Sequence, residues 1–538
     1  MRHRQKLRLA VESLETRDTP AVLYVSPTGA DTNPGTAAAP LKTLQSAADR
    51  VAAGDSVIAG AGTYVGCNLF TSGTAASRIA FQADPAAGVG GVVIDRPNPW
   101  NNRDGINLEG ASYVTVEGFT VTGQPRAGIR SVSNQFAVIR NNVADANNVW
   151  GIFTGFSADL LVENNQASRS AQQHGIYVSN SADRPVVRGN RVFENNASGI
   201  QLNADASQGG DGVISNAVVE SNVLRANGVA GGASINLDGV QDSDVRNNLI
   251  EDARSTGVAL FRQDGATGST NNRIVNNTVV VDNSVNQGNG RWAVALTGGS
   301  TGNLLKNNIL FSTQSFRGAL SVSSDSQAGL VSDYNAVENR FSSDDGNTAV
   351  GLAGWQTATG QDVHSFSIND VTALNGLFVD RATGNYHLAS TSAAIDRGTS
   401  AGAPPTDFEG NARPSGSGYD IGADEFVVAV SPPPVNTAPT ISAIPKLTLT
   451  YNSTARTFAF TVGDAQTPAG SLVVSVTSSN PTLFPASGLV LGGSGSNRTL
   501  SVRPARYQSG TTVITVKVTD AGGLTTTTSF TITVLKRR

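Results

Sequence analysis

Residues 174–203 read HGIYVSNSADRPVVRGNRVFENNASGIQLN. Two Gly-Ile pairs, Gly175-Ile176 and Gly199-Ile200, stand 24 residues apart with VVRGN (Val186–Asn190) between them. After each Gly, apolar and polar side chains alternate: Ile176 and Val178 with Tyr177 and Ser179, then Ile200 and Leu202 with Gln201 and Asn203. A period of two marks a strand whose two faces differ. Working outward, the pair recurs at Gly105-Ile106, Gly128-Ile129 and Gly151-Ile152, with spacings of 23, 23 and 24 up to Gly175. It continues as Ser234-Ile235, Gly257-Val258 and Ala293-Val294 across gaps of 35, 23 and 36. Between the pairs runs a second mark, an apolar stretch ending in Asn: VIRNN (Val138–Asn142), LVENN (Leu161–Asn165), VVESN (Val218–Asn222), DVRNN (Asp244–Asn248), RIVNN (Arg273–Asn277) and LLKNN (Leu304–Asn308). No helical stretch long enough for a βα crossover separates the short strands, which disfavours a βαβ arrangement. Laps of about two dozen residues, several short strands per lap and Asn at one corner predict a parallel β-helix, its laps stacked about 4.8 Å apart around one apolar core. Stacked corner Asn side chains can hydrogen-bond along the stack.

Composition agrees and removes other classes. The chain has 538 residues, 58 of them Gly, and only 15% are charged, against a usual figure of about 25%. A net charge of −4 argues against nucleic-acid binding through a basic surface. One cysteine, Cys67, excludes an internal disulfide framework and a Cys-based zinc site. No run of 18 apolar residues is present, so no membrane span is expected.

The chain divides into a basic tail, residues 1–20 (MRHRQKLR at its head); a β-helix cap, 21–66; repeats, 67–315; the end of the helix with a less regular module, 316–426; a Pro-rich linker, 427–436; and a Thr/Ser/Val-rich segment, 437–538. In that last segment FAFTV, LVVSV, VITVKV and SFTITV alternate between turns, predicting a small seven-stranded β-sandwich. The fold class expected is therefore all-β, a β-helix followed by a small sandwich.

The GI-x-V…VxxN-x-V pattern over about Gly105–Leu310 resembles the pectin-lyase-like right-handed parallel β-helix proteins, whose members include uronate lyases, glycoside hydrolases, epimerases and non-catalytic surface proteins. Leu23–Gly66 resembles their N-terminal cap, with Pro40–Ala52 as a short helix closing the open end. Asn385–Phe426, with AIDRG and DIGADE, resembles a choice-of-anchor-Q module of bacterial surface proteins. NTAPTIS…VTD, within Thr437–Val534, resembles Ig-like or cadherin-like repeats; Asp464 and Asp520 would be the calcium candidates there, a plain spacer the alternative. The start LRLAVESLETRDTPAV resembles the export leaders of planctomycete proteins. These resemblances imply a secreted or cell-surface protein, touching the cell envelope through its C-terminal region.

No Walker loop, HExxH, GxSxG or zinc pattern occurs, so a site has to be a constellation. With the residue after each Gly inward, the outward positions lap by lap are Asn107 and Glu109, Arg130, Phe153, Tyr177 and Ser179, Gln201 and Asn203, Asn236 and Asp238, Ala259 and Phe261, Ala295 and Thr297. Neighbouring laps stack about 5 Å apart, which would set His174 and Asp238 about 10 Å apart. The candidate catalytic residues are His174, Asp238, Asp211 and Arg262; the candidate substrate-binding residues are Tyr177, Gln201, Asn203, Asp205, Asn236, Asp264, Arg291 and Trp292. Each has a plainer reading. His174 is a general base or acid, or a corner histidine bonded to backbone. Asp205, Asp211 and Asp238 are acid/base groups or hold calcium against a uronate, or they make Asx-turns. Arg262 and Arg291 clamp a sugar carboxylate, or are partners for Asp264 or surface charges. Trp292 stacks on sugar, or packs under its loop. Insertions after Asn203 (ADASQGGDG), after Phe261 (RQDGATGST) and before Ala293 (SVNQGNGRW) lengthen the laps here.

Many lyases of the family use Lys or Arg bases, yet only Lys42 and Lys306 lie in the cap and repeats. No cofactor is certain; calcium is the one considered, and no metal ligand set is assigned. A monomer is expected. Three functions remain: a polysaccharide lyase or glycoside hydrolase acting on an acidic polysaccharide, a non-catalytic glycan-binding surface protein, and a structural solenoid.

Overall fold

The computed structural model describes residues 20–282, 291–427 and 435–536. The basic tail, most of the proline linker and the greater part of the SVNQGNGRW insertion lie outside the described residues. The chain divides into two compact units, Met1–Val427 and Val428–Arg538.

The first unit is a right-handed parallel β-helix. Each lap contributes one strand to each of three parallel sheets of 12, 11 and 12 strands. The Gly-Ile strands form the 11-stranded sheet, which runs from Cys67–Leu69 to Phe341–Ser342. Its register is unbroken: Ile129, Ile152, Ile176, Ile200, Ile235, Val258 and Val294 are successive partners. The gaps of 35 and 36 residues therefore leave the ladder in phase. A slip of one residue would turn every core side chain outward, so the extra residues must loop out. Ile176, Val178, Ile200, Leu202, Ile235 and Leu237 are all fully buried in one continuous core.

The Asn mark builds the corner between the other two sheets. Asn142, Asn165, Asn190, Asn222, Asn248, Asn277, Asn308 and Asn335 are buried. From Asn165 onward, the Oδ1 of each accepts the backbone N–H and the Nδ2–H of the Asn one lap earlier, while Asn142 Oδ1 accepts the Phe119 N–H. The residue before each ladder Asn is left-handed, as at Asn141 (φ 56°) and Asn164 (φ 55°). At Gly189 (φ 64°) the same bend is made without a Cβ.

Both ends are covered. The helix Leu44–Ala48, shorter than the expected Pro40–Ala52, is capped by Thr43 Oγ1 accepting the Ser46 N–H and buries Leu44 and Ala47. At the other end the helix Leu352–Thr359 stacks Trp355 on Phe341, ring centroids 5.2 Å apart. The segment from Leu377 to Phe426 does not extend the coil. It lies on the outer face of the third sheet, where Leu377, Phe378, Tyr386, Leu388 and Ile421 pack with Leu249, Val280, Ile309 and Phe311. The ion pair Arg413–Glu425 (2.8 Å) is fully buried within it.

The second unit has two four-stranded sheets around one core that includes Phe460, Leu500, Val516, Phe530 and Ile532. That is eight strands among the described residues, not seven. The edge strand Thr440–Ile441 has two residues, too few for alternation to reveal. Asp464 and Asp520, weighed for calcium, accept backbone N–H groups of their own turns, from Gln466 and Thr467 and from Leu524.

Candidate functional site

The outward positions of the Gly-Ile sheet stack as the alternation requires: Arg130 beside Phe153, Phe153 beside Tyr177, Tyr177 beside Gln201, Gln201 beside Asn236. Two zones result. On Trp150, Phe153, Tyr177 and His174 the rings form one cluster. Trp150 stacks on Phe153 (4.5 Å), Phe153 meets Tyr177 edge-on (5.3 Å), and His174 meets Tyr177 edge-on (5.0 Å). One lap on, the surface turns polar and sinks into a cleft of about 400 Å³. Seven of the anticipated residues line it together: His174, Tyr177, Gln201, Asn203, Asn236, Asp238 and Asp264. Gln263 and Phe261 complete one wall.

Within the cleft the hydrogen bonds sort the groups into those already used and those free. Asp238 is buried and accepts three backbone N–H groups, from Gln263 (2.9 Å), Asp264 (2.8 Å) and Gly265 (3.1 Å). It anchors the inserted loop; both its oxygens are engaged. The anchored loop in turn brings Asp264 to Asn203, whose Nδ2–H donates to Asp264 Oδ2 (3.1 Å) and to Tyr177 Oη (3.2 Å). Burial raises the Tyr177 phenol above its usual range, with the Asp264 and Asp205 carboxylates adding to it.

His174 Nδ1 accepts the Ser198 N–H (3.1 Å). Burial lowers this imidazole to about 4, so at neutral pH it is uncharged. With Nδ1 accepting, its one proton sits on Nε2. His174 lines the cleft with that Nε2 proton as its available group; its Nδ1 lone pair is held by the backbone, as in the plainer reading. Gln201 Oε1 accepts from Ser198 Oγ (3.0 Å) and from Asn236 Nδ2 (2.7 Å). Among the described residues Gln201 Nε2 and Asn236 Oδ1 have no protein partner. The cleft thus offers Gln201 and His174 N–H donors beside the acceptors Asn236 Oδ1 and Asp264 Oδ1.

Five anticipated residues stand apart from this lining. Asp205 accepts Ser207 N–H and Oγ–H, capping the short turn Ala206–Gln208. Asp211 accepts the Val213 N–H in an exposed Asx-turn. Both satisfy their own Gly-rich loop. Arg262 and Arg291 are exposed and do not line the cleft. Trp292 is 5% exposed, so its ring faces are packed and unavailable for stacking. Conversely, Trp150 was overlooked. It occupies the position just before a Gly-Ile pair, the same offset as His174, and that offset was the available signal.

Among the described residues one further group has metal-ligating side chains close together: His387, Glu409 and Asp424, in the outer module. His387 Nδ1 lies 3.0 Å from Asp424 Oδ1, and its Nε2 lies 3.6 Å from Glu409 Oε1. Burial would lower this imidazole, but the Asp424 hydrogen bond and the surrounding carboxylates raise it. Two carboxylates, one at each nitrogen, suit an imidazolium ion.

A family described as the Pel9A-like right-handed β-helix region matches residues 23–175. The match ends where the cleft begins. No curated protein matches the chain. Among solved structures, pectate lyase Pel9A superposes with a TM-score of 0.51 at 18% identity, covering 76% of this chain and 96% of that one. An alginate lyase from Paenibacillus sp. str. FPU-7 gives 0.39 at 18% identity, covering 60% and 98%. A rhamnogalacturonan lyase gives 0.32 at 16%, covering 56% and 84%. At such identities the likeness is one of fold, a right-handed parallel β-helix.

Proposed function

We propose that this is a carbohydrate-active protein that holds an extended polysaccharide along the Gly-Ile sheet. The single observation that carries the reading is the adjacency of a ring cluster (Trp150, Phe153, Tyr177) to a cleft whose spare groups are amide and imidazole donors beside amide and carboxylate acceptors. Aromatic faces take the apolar faces of sugar rings, and paired donors and acceptors take hydroxyls. The neighbours named as pectate, alginate and rhamnogalacturonan lyases support a polysaccharide by analogy of fold alone.

Cleavage, by β-elimination or hydrolysis, would centre on Asp264, whose Oδ1 is free, next to the Tyr177 hydroxyl. Recognition without cleavage is the second reading. It is favoured by the commitment of His174 Nδ1 and of both Asp238 oxygens to backbone amides. The expected acidic substrate loses its proposed clamp, since Arg262 and Arg291 lie off the cleft. The carboxylates considered for calcium are not gathered: Asp205 and Asp211 stand outside the cleft lining, each giving one oxygen to its own turn, and Asp238 gives both oxygens to backbone amides. A polysaccharide does not cross a lipid bilayer unaided, so the protein would act outside the cytoplasm, with the C-terminal unit as spacer or envelope contact. No helix among the described residues is long and apolar enough to span a membrane.

The test is a polysaccharide panel read three ways: retardation in affinity gels, new reducing ends, and ultraviolet absorbance of an unsaturated uronate. Retardation with intact polymer supports recognition alone; reducing ends without absorbance mark a hydrolase, and both together a lyase. If no glycan retards the protein, the reading fails.

A further inference from the structure

We infer that the glycan taken by this cleft is uncharged, recognised through its hydroxyls and not through a uronate carboxylate. This rests on the polysaccharide reading above and narrows it. The charge of the whole face carries the argument. On the outward rows of the Gly-Ile sheet, from Asn68 to Ser321, the only cation among the described residues is Arg130. Its guanidinium is already spent, bonded to Glu109 and to Asn107 Oδ1 (2.7 Å). The cleft itself is lined by Asp238 and Asp264 and by no lysine or arginine. His174, the one other titratable base there, is uncharged above about pH 4. Residues 283–290, NSVNQGNG, contain no charged side chain that could alter this balance.

A uronate carboxylate placed here would meet two like charges at short range and no counter-charge, in a site partly shielded from water. Calcium is the usual remedy for such a pairing, and it asks for six or more oxygens. Asp238 is buried and its carboxylate already accepts three amide N–H groups, which leaves it one acceptor site. That leaves Asp264 as the one carboxylate of the lining with a free oxygen. A sugar hydroxyl, by contrast, donates to Asp264 Oδ1 or Asn236 Oδ1 and accepts from Gln201 Nε2, and none of these bonds needs a cation.

The experiment compares affinity-gel retardation by xylan, mixed-linkage β-glucan and galactomannan with that by polygalacturonate and alginate, with calcium chloride and with chelator. The expected result is retardation by at least one neutral polymer and binding of both uronate polymers about tenfold weaker or worse, in either calcium condition. Asp264→Asn, which keeps the shape, is expected to close that gap by severalfold, losing neutral binding and gaining uronate binding. Should that variant fail to fold, the salt dependence of the unmodified protein decides: residual uronate binding is expected to strengthen as salt screens repulsion. Uronate binding equal to or tighter than neutral binding, with or without calcium, or uronate binding that weakens with salt, overturns the inference and leaves the polysaccharide reading standing. No retardation by any polymer overturns both.

Discussion

Replacing Asn222 by Ala removes one rung of the corner ladder, and its cost can be worked from the bonds. Asn222 is fully buried. Its Oδ1 accepts from Asn190 N and Asn190 Nδ2, both at 3.0 Å. Its Nδ2 donates to Val187 O (2.9 Å) and Asn248 Oδ1 (3.0 Å). Asn190 Nδ2 keeps Val162 O and Arg188 O, and Asn248 Oδ1 keeps the Asn222 backbone N–H. The Asn190 N–H loses its partner inside the core. One or two groups left bare cost about 1–3 kcal/mol each, and the space vacated by the amide adds to that. The expected loss is about 3–5 kcal/mol. Asn196→Ala is the control: it removes one exposed bond, Nδ2 to Gln172 O (3.1 Å), and should cost less than about 0.5 kcal/mol. Because solenoid laps couple mainly to their neighbours, the loss is best read by hydrogen exchange at the laps on either side, alongside urea unfolding. A loss near that of the control would refute the claim that the ladder holds the corner.

Arg413→Met leaves Glu425 buried without its partner and should weaken docking of the outer module by about 3–5 kcal/mol, read as new proteolytic cleavage confined to residues 369–427. Asp238→Asn should raise exchange at Gln263–Gly265 and weaken glycan binding about tenfold without shifting global unfolding, since it loosens the loop that positions Asp264. Burial pushes Glu338 up to about 8, so the folded state holds this proton more tightly than the unfolded chain. Its stabilising contribution is complete below about pH 4.5 and is lost as pH rises through about 8; Glu338→Gln should flatten that part of the stability–pH curve. His174, lowered to about 4 by burial, should show no imidazole titration by NMR between pH 6 and 8, and glycan binding should not change through it.

Much of the architecture is legible because the repeat is self-checking. A Gly-Ile pair fixes which residue of each strand points in, and the Asn mark fixes a corner, so two independent signals report one lap length. The same periodicity names the cleft lining from His174 to Asp238, since stacking leaves the outward rows no choice of neighbour. It fails where a residue leaves the ladder. Asp205, Asp211, Arg262, Arg291 and Trp292 sit in or beside insertions whose conformation the repeat does not govern. There, local satisfaction of turns and packing decides. Asp264 is the exception because Asp238 grips its backbone and returns it to the sheet. The docking of Asn385–Phe426 on the outer face was likewise invisible, since it depends on apolar residues such as Leu249 and Phe311 on the outside of a strand, where alternation alone predicts solvent.

The central claim is that the outward face from Trp150 to Asp264 is where the protein meets a sugar chain. Hydrogen exchange followed by mass spectrometry, with and without an oligosaccharide of the tightest-binding polymer, tests it directly. The account predicts protection at residues 150–155, 174–179, 198–203 and 261–265 and none in the outer module. Protection centred instead on Arg191, His387 and Glu409, or on the second unit, would contradict it.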